Sequence, residues 1–215
     1  MPRRFSETEE RQIDAQLREA ARELMGRRGV RKTSIDDLAS HAGISKGSFY
    51  RFYPSKEVLA LELLAEWELA FHEGITRRFR SENPHGVDAT ARVLRSVMLE
   101  DFPRVTAETG MQGLFDPQEI QYLQQRAHPE HLERMDTQDF RLFERLKPLF
   151  FRAGLEPVER DSVIIAGLRL CFDAALGVLG AHSEGPLAYE DYYTACECML
   201  AGFIGAVFRE REEKL

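Results

Sequence analysis

Apolar positions recur at helical spacing along nearly the whole chain. Ile13, Leu17, Ala20, Ala21, Leu24 and Met25 fall at i, i+4, i+7, i+8, i+11 and i+12, one face of a long first helix. Gly29 stops that helix, as a residue free to turn left-handed does. Ser34 then precedes "IDDLASHA", with Asp37 three residues on, in the arrangement of a capping box. Gly43 breaks this short helix, and Ser45 caps a third, "KGSFYRF". Pro54-Ser55 ends the third and opens a fourth, whose apolar face runs through Leu63, Trp67, Ala70, Phe71, Ile75 and Phe79. Farther on, Pro84-His85-Gly86, Pro103, Pro117, Pro129, Pro157 and Gly185-Pro186 act as punctuation. Amphipathic segments remain at roughly 87–102, 117–127, 130–153, 158–182 and 187–211. Pro148 is expected to kink or divide one of them at "RLKPLFF". No run alternates with the period of a strand, and no segment repeats. The pattern predicts an all-α chain: a three-helix bundle over 1–55, a connecting helix from about 55 to 80, and a larger helical domain over 81–215.

Two short helices joined by the turn "HAGI", with glycine at its centre, form the pattern of a helix-turn-helix. Leu38, Ala39, Ile44, Phe49 and Phe52 supply apolar faces that lock the pair against the first helix. Lys46, Gly47, Ser48, Tyr50 and Arg51 are left pointing outward at the N-terminal end of the second, the end that enters a major groove. Ser45, Ser48, Tyr50 and Tyr53 offer hydroxyls to phosphates, Lys56 offers an ammonium, and Gly47 lets a backbone come close. Core packing competes for the aromatics. It is preferred for Phe49 and Phe52, and phosphate contact for Tyr50 and Tyr53. Charge changes the picture only when divided. The net charge is −7, yet the first 60 residues carry a balance of +3 and the rest −10. That asymmetry fits a small domain with a polyanionic partner joined to an acidic body.

"GVRKTSIDDLASHAGISKGSFYRFYPSKEVL", from Gly29 to Leu59, resembles the DNA-binding domain of the TetR family of bacterial transcriptional regulators. The family's pattern is met nearly throughout, with Ile44, Ser48 and Ser34 as mild departures. The resemblance implies that Ser34, Ser45, Lys46, Ser48, Tyr50, Tyr53 and Lys56 sit where the family contacts operator DNA. It also implies a cavity for a small effector in the larger domain, and Trp67, Phe71, Phe102, Met111, Phe115, Phe143 and Phe172 are the residues assigned to it. A mostly apolar or aromatic effector suits those side chains.

The last two segments differ from the rest. The final helix has a large stripe, Tyr189, Tyr192, Cys196, Leu200, Phe203 and Val207, and a small one, Ala195, Cys198, Gly202, Gly205 and Ala206. A helix apolar on two faces is buried on two sides. One side meets its own domain and the other a second subunit, or both lie in a thick monomer core. The resembled family dimerises through its last two helices, which favours a homodimer with Cys171, Ala174, Val178, Cys198, Gly202 and Gly205 at the interface.

No G-x-S-x-G, P-loop, dinucleotide fingerprint or HExxH is present, so no catalytic residue, cofactor or metal is assigned. His128 and His131 have HxxH spacing but flank a proline at a helix start. Cys196 and Cys198 point about 200° apart on a helix and make poor joint ligands. Three cysteines without a disulfide framework, and an N-terminus without an apolar core, are expected of a protein of the reducing cytoplasm with no membrane partner. The expectation is a ligand-responsive, operator-binding homodimer acting as a repressor. A constitutive DNA-binding dimer, or a helical enzyme or protein-interaction module, remain the alternatives.

Overall fold

A computed structural model describes residues 5–180 and 189–211, with the backbone alone at 131, 132, 134–136, 176–180 and 189. Ten α-helices account for most of these residues. They are α1 (Glu7–Arg28), α2 (Ile35–His41), α3 (Lys46–Phe52), α4 (Lys56–Glu82), α5 (Gly86–Ser96), α6 (Phe102–Glu108), α7 (Pro117–Arg126), α8 (Pro129–Arg152), α9 (Asp161–Gly180) and α10 (Tyr189–Val207). The all-α prediction therefore holds, and residues in contact group into two compact units. One joins the chain up to Glu68 with Thr106–Leu132, and the other joins Leu69–Val105 with the residues from Glu133 onward.

Local chemistry accounts for the first unit's elements. Ser6 caps α1 in a capping box with Glu9, and Ser34 caps α2 in one with Asp37. Gly29, at φ 81°, and Gly43, at φ 66°, take the positive-φ conformations that end α1 and turn α2 into α3. Ile13, Leu17, Ala20, Ala21 and Met25 bury the predicted stripe of α1, with Leu38 and Phe49 also buried in this unit. A 3₁₀ turn (Gln112–Phe115) and α7 belong to the same unit. The turn reaches α1 through glycine: a Cβ on Gly26 would stand 1.7 Å from the Gly110 carbonyl oxygen, and one on Gly113 would stand 2.5 Å from that of Gly26. Only glycines permit backbones this close.

The second unit is centred on Phe150, whose ring meets those of Phe79, Phe143 and Phe208 at 5.5, 6.3 and 4.8 Å. Helix α10 packs on α5 and α9. Gly167 admits the Phe203 ring, since a Cβ there would stand 2.1 Å from it.

Three departures from the sequence pattern appear here. The helix expected to stop at Pro103 runs on through a π-helical turn (Val97–Asp101), in which the Phe102 N–H bonds the Val97 carbonyl five residues back. That wide turn sits just ahead of Pro103, which has no N–H to offer. Helix α8 continues through Pro148 instead of dividing there, with Pro148 on its exposed face. The start of the 158–182 segment and the end of the 187–211 segment are not helical. Gly154 ends α8 at φ 80°, and Leu155–Pro157 (β1) pairs antiparallel with Phe208–Glu210 (β2), reinforced by an Arg209–Glu156 ion pair at 2.7 Å. Strands of three residues are too short to declare a period of two.

Candidate nucleic-acid interface

The α2–turn–α3 motif is built on two serine caps. Ser34 Oγ accepts the Asp37 N–H at 3.0 Å while the Ser34 N–H donates to Asp37 Oδ2 at 3.2 Å. The Ser34 hydrogen bonds, aided by Arg28 at 2.6 Å, hold the Asp37 carboxyl below the usual carboxylate range. Ser45 Oγ accepts the Ser48 N–H at 3.2 Å and lies 2.9 Å from the Ser48 hydroxyl. Leu38, Ala39, Ala42 and Phe49 are buried beneath, so α3 is fixed by its inner face and presents its outer one.

On that outer face Ser45, Lys46, Gly47, Tyr50 and Arg51 are exposed and Ser48 is half-buried. Tyr50 is 52% exposed and rests edge-on against Phe49 at 5.7 Å. Lys46 Nζ donates to Asp36 at 2.7 Å, and this hydrogen bond raises its pKa. Arg51 reaches Glu10 at 3.4 Å and stacks over the Phe5 ring at 4.7 Å. The cations are thus held in place by carboxylates from α1 and α2, partners that a nucleic-acid backbone would displace. Asp36, Glu10 and Phe5 went unnoticed in the sequence because their roles depend on α1 and α2 crossing α3.

Two residues assigned to phosphates are placed otherwise. Tyr53 is 3% exposed and donates its hydroxyl to Asp14 of α1; burial and that hydrogen bond push its pKa up. Its ring, 6.0 Å from Phe49, completes the core instead of facing outward. Lys56 Nζ donates to the carbonyls of Val30 at 2.7 Å, Arg31 at 3.3 Å and Thr33 at 2.7 Å. Its ammonium ties the start of α4 to the α1–α2 turn. The same turn is gripped from α7, where Glu119, 4% exposed, accepts from the Arg31 backbone at 3.0 Å and its guanidinium at 2.7 Å. Tyr122 of α7 donates to Glu57 at 2.6 Å.

The residues assigned to an effector cavity fall into separate groups. In the first unit the Trp67 ring meets Phe115 at 4.4 Å and its Nε1 donates to Thr109 at 3.0 Å, with Met111 buried. In the second, Phe71, Phe102 and Phe172 form one chain of rings, and Phe143 belongs to the Phe150 cluster. A surface depression of about 400 Å³ is lined by Lys147, Pro148, Phe151, Arg152, Pro157 and Phe208, none of them among the seven. Of the interface residues, Ala174, Cys198, Gly202 and Gly205 are exposed. Cys171 is buried at 5%, on the inner side of α9, so it packs within its own unit. The side chain of Val178 lies outside the described residues.

This geometry is that of a helix-turn-helix DNA-binding domain heading an all-helical chain. Residues 17–63 match the family model for bacterial regulatory proteins, tetR family. YuxN of Bacillus subtilis (strain 168), an HTH-type transcriptional regulator, is 44% identical over 46 residues, 21% of this chain and 16% of that protein. The HTH-type transcriptional repressor KstR2 of Rhodococcus jostii (strain RHA1) is 25% identical over 123 residues, 57% of each chain. The chain thus spans less than two thirds of the length of either relative. The crystal structure of RolR superimposes with a TM-score of 0.58 at 17% identity, covering 94% of this chain and 90% of that one. Residues 17–63 thus match the DNA-binding segment of the tetR family, and the chain shares the fold of RolR. Among the described residues no helix is long and apolar enough to cross a membrane.

Proposed function

We propose that the protein is a homodimeric transcriptional repressor that binds a near-palindromic operator and is released by a small effector. The observation that carries the operator reading is the capped, outward N-terminal end of α3, with Ser45, Lys46, Gly47, Ser48, Tyr50 and Arg51 grouped there and Ser34 capping α2 alongside. Gly47 adds weight. Among the described residues a Cβ there would meet only Ser45 Oγ, at 3.9 Å, so none of them requires glycine in the first turn of α3. A backbone that must approach DNA does require it.

Two relatives support the finer reading: KstR2 is named a repressor, and RolR was solved with resorcinol as its ligand. The constitutive dimer remains a second reading, favoured by the way Phe71, Phe102 and Phe172 pack on one another. DNA selected from a random pool, followed by fluorescence anisotropy, tests the operator reading. The expected product is a palindrome with half-sites about 34 Å apart or a multiple of that. Gly47→Ala is expected to weaken binding at least tenfold while leaving the fold intact. Recovery of no enriched sequence would overturn the reading. A metabolite screen in which nothing alters operator affinity would favour the constitutive one.

A further inference from the structure

The α1–α2 turn, residues 29–33, lies immediately before the Ser34 cap. Its backbone angles therefore aim α2 and, through the buried Leu38 and Phe49, α3 as well. Two oppositely charged side chains from elsewhere in the first unit hold this turn. Lys56 takes the carbonyls of Val30, Arg31 and Thr33, and Glu119 takes the N–H of Arg31. Val30 and Thr33 are themselves buried. The turn cannot pivot without breaking one of these holds.

Glu119 stands in a fixed place. Asp116 caps α7 by accepting the Gln118 N–H at 2.8 Å, and Pro117 opens the helix, which together set its first turn. The 3₁₀ turn just ahead is seated on α1 by the close approach of Gly110 and Gly113 to Gly26. From there Glu119 places both carboxylate oxygens on Arg31, Oε2 on the backbone N–H and Oε1 on Nε. Gln118 Oε1 accepts from Nη2 of the same guanidinium at 3.0 Å. Gly29 leaves the room this needs, since a Cβ there would stand 2.7 Å from the Glu119 carboxyl carbon. A buried carboxylate is costly unless paired, and here its countercharge is a residue of the turn itself.

We infer that Glu119 is a positioning residue for operator binding: its carboxylate sets the α1–α2 turn and with it the angle at which α2 and α3 meet the groove. At 4% exposure it reaches neither a phosphate nor a base. The inference rests on the operator reading above. It extends the DNA-reading apparatus to a helix well outside residues 17–63, the segment that matches the family model.

Glu119→Gln keeps the shape of the side chain but turns one of its two acceptors into a donor. The new amide group must face the Arg31 N–H or its guanidinium, both donors, so the turn is pushed from its place. Fluorescence anisotropy of the full chain, with its selected operator and with a random duplex of equal length, tests the inference. The measurement is made where circular dichroism and urea unfolding find the variant folded. Glu119→Gln is expected to lose operator affinity about tenfold, within the range for one mismatched base pair. Random-duplex affinity and the salt slope are expected to stay as in the parent, because no phosphate contact is removed. A contact that only stabilises the fold would lower unfolding free energy and leave the folded protein's preference for operator untouched. That result would overturn the inference, and so would an equal loss on both duplexes. If Glu119→Gln does not fold, Arg31→Met takes its place, with the same operator loss expected at constant salt slope. Unchanged operator affinity, or a slope lower by about one with equal losses on both duplexes, would overturn it, the latter by making Arg31 a phosphate contact. A parent chain that selects no sequence sinks the operator reading and the inference together. A selective parent whose Glu119→Gln variant binds operator equally well sinks the inference alone.

Discussion

Two lysines that look alike in the sequence have different work. Lys46 is exposed, with one carboxylate partner supplied by α2, whereas Lys56 is half-buried and bonds three carbonyls of the α1–α2 turn. Hydrogen bonds from a charged donor contribute about 1.5–3 kcal/mol each when a partly buried partner would otherwise go unsatisfied, though not additively. Lys56→Met is therefore expected to lower unfolding free energy by about 2–3 kcal/mol, measured in urea. Lys46→Met is expected to leave stability unchanged and to weaken operator binding with an altered base preference. Equal stability of the two variants would return Lys56 to the phosphate-contacting role its sequence context suggests. The sequence could not separate them, because the carbonyls that hold Lys56 lie 23 to 26 residues upstream. Tyr53 was misplaced for the same reason, its partner Asp14 being 39 residues away. Ser34, Ser45, Gly29 and Gly43 were legible because a cap or a turn is settled within four residues.

At the scale of elements, what a sequence shows and what it hides divide along the range of the interaction. Helices α1 to α4 were readable from periodicity and caps, and their bounds agree closely with the pattern. The attachment of the 3₁₀ turn and α7 to the first unit was not readable. It rests on Gly26 meeting Gly110 and Gly113, and on Glu119 meeting Arg31 across 88 residues. Neither contact leaves a periodic trace. The π-helical turn before Pro103 was hidden too, since proline marks an interruption without saying whether the helix stops or widens. The glycine contacts predict an effect that helix propensity alone reverses. Alanine is favoured over glycine inside a helix by up to about 1 kcal/mol, so Gly26→Ala in α1 would stabilise an isolated helix. Here the added Cβ would overlap the Gly110 carbonyl oxygen, which belongs to backbone and cannot swing aside. Gly26→Ala is expected to destabilise the protein by about 2–3 kcal/mol in thermal or urea unfolding. An unchanged or raised melting temperature would mean that the turn does not sit on α1.

For the whole molecule, the question is what covers α9 and α10. Leu170 is 70% exposed and Met199 37%, and Ala174, Cys198, Gly202 and Gly205 are exposed along with them. Scattered exposed leucines need no explanation, but apolar residues gathered on two neighbouring helices do. Gly202 sharpens the point as Gly47 did for α3. It lies inside a helix, where glycine costs about 1 kcal/mol relative to alanine, yet a Cβ there would meet nothing within 4 Å. Its small size serves no neighbour among the described residues of its own chain, which is what a close helix crossing with a second copy would require. Two-fold symmetry would set this face against itself and pair the two α3 helices for a palindromic site. Gly202→Leu is a clean test because the space around it is open within the protomer. Circular dichroism and unfolding are expected to match the parent protein, while analytical ultracentrifugation at micromolar concentration shifts from dimer to monomer. Operator affinity should fall with it, since a monomer holds one half-site and loses the gain of binding two linked sites together. A parent protein that sediments as a monomer would remove the dimer from the proposal. A variant that stays dimeric with full operator affinity would move the interface off this face.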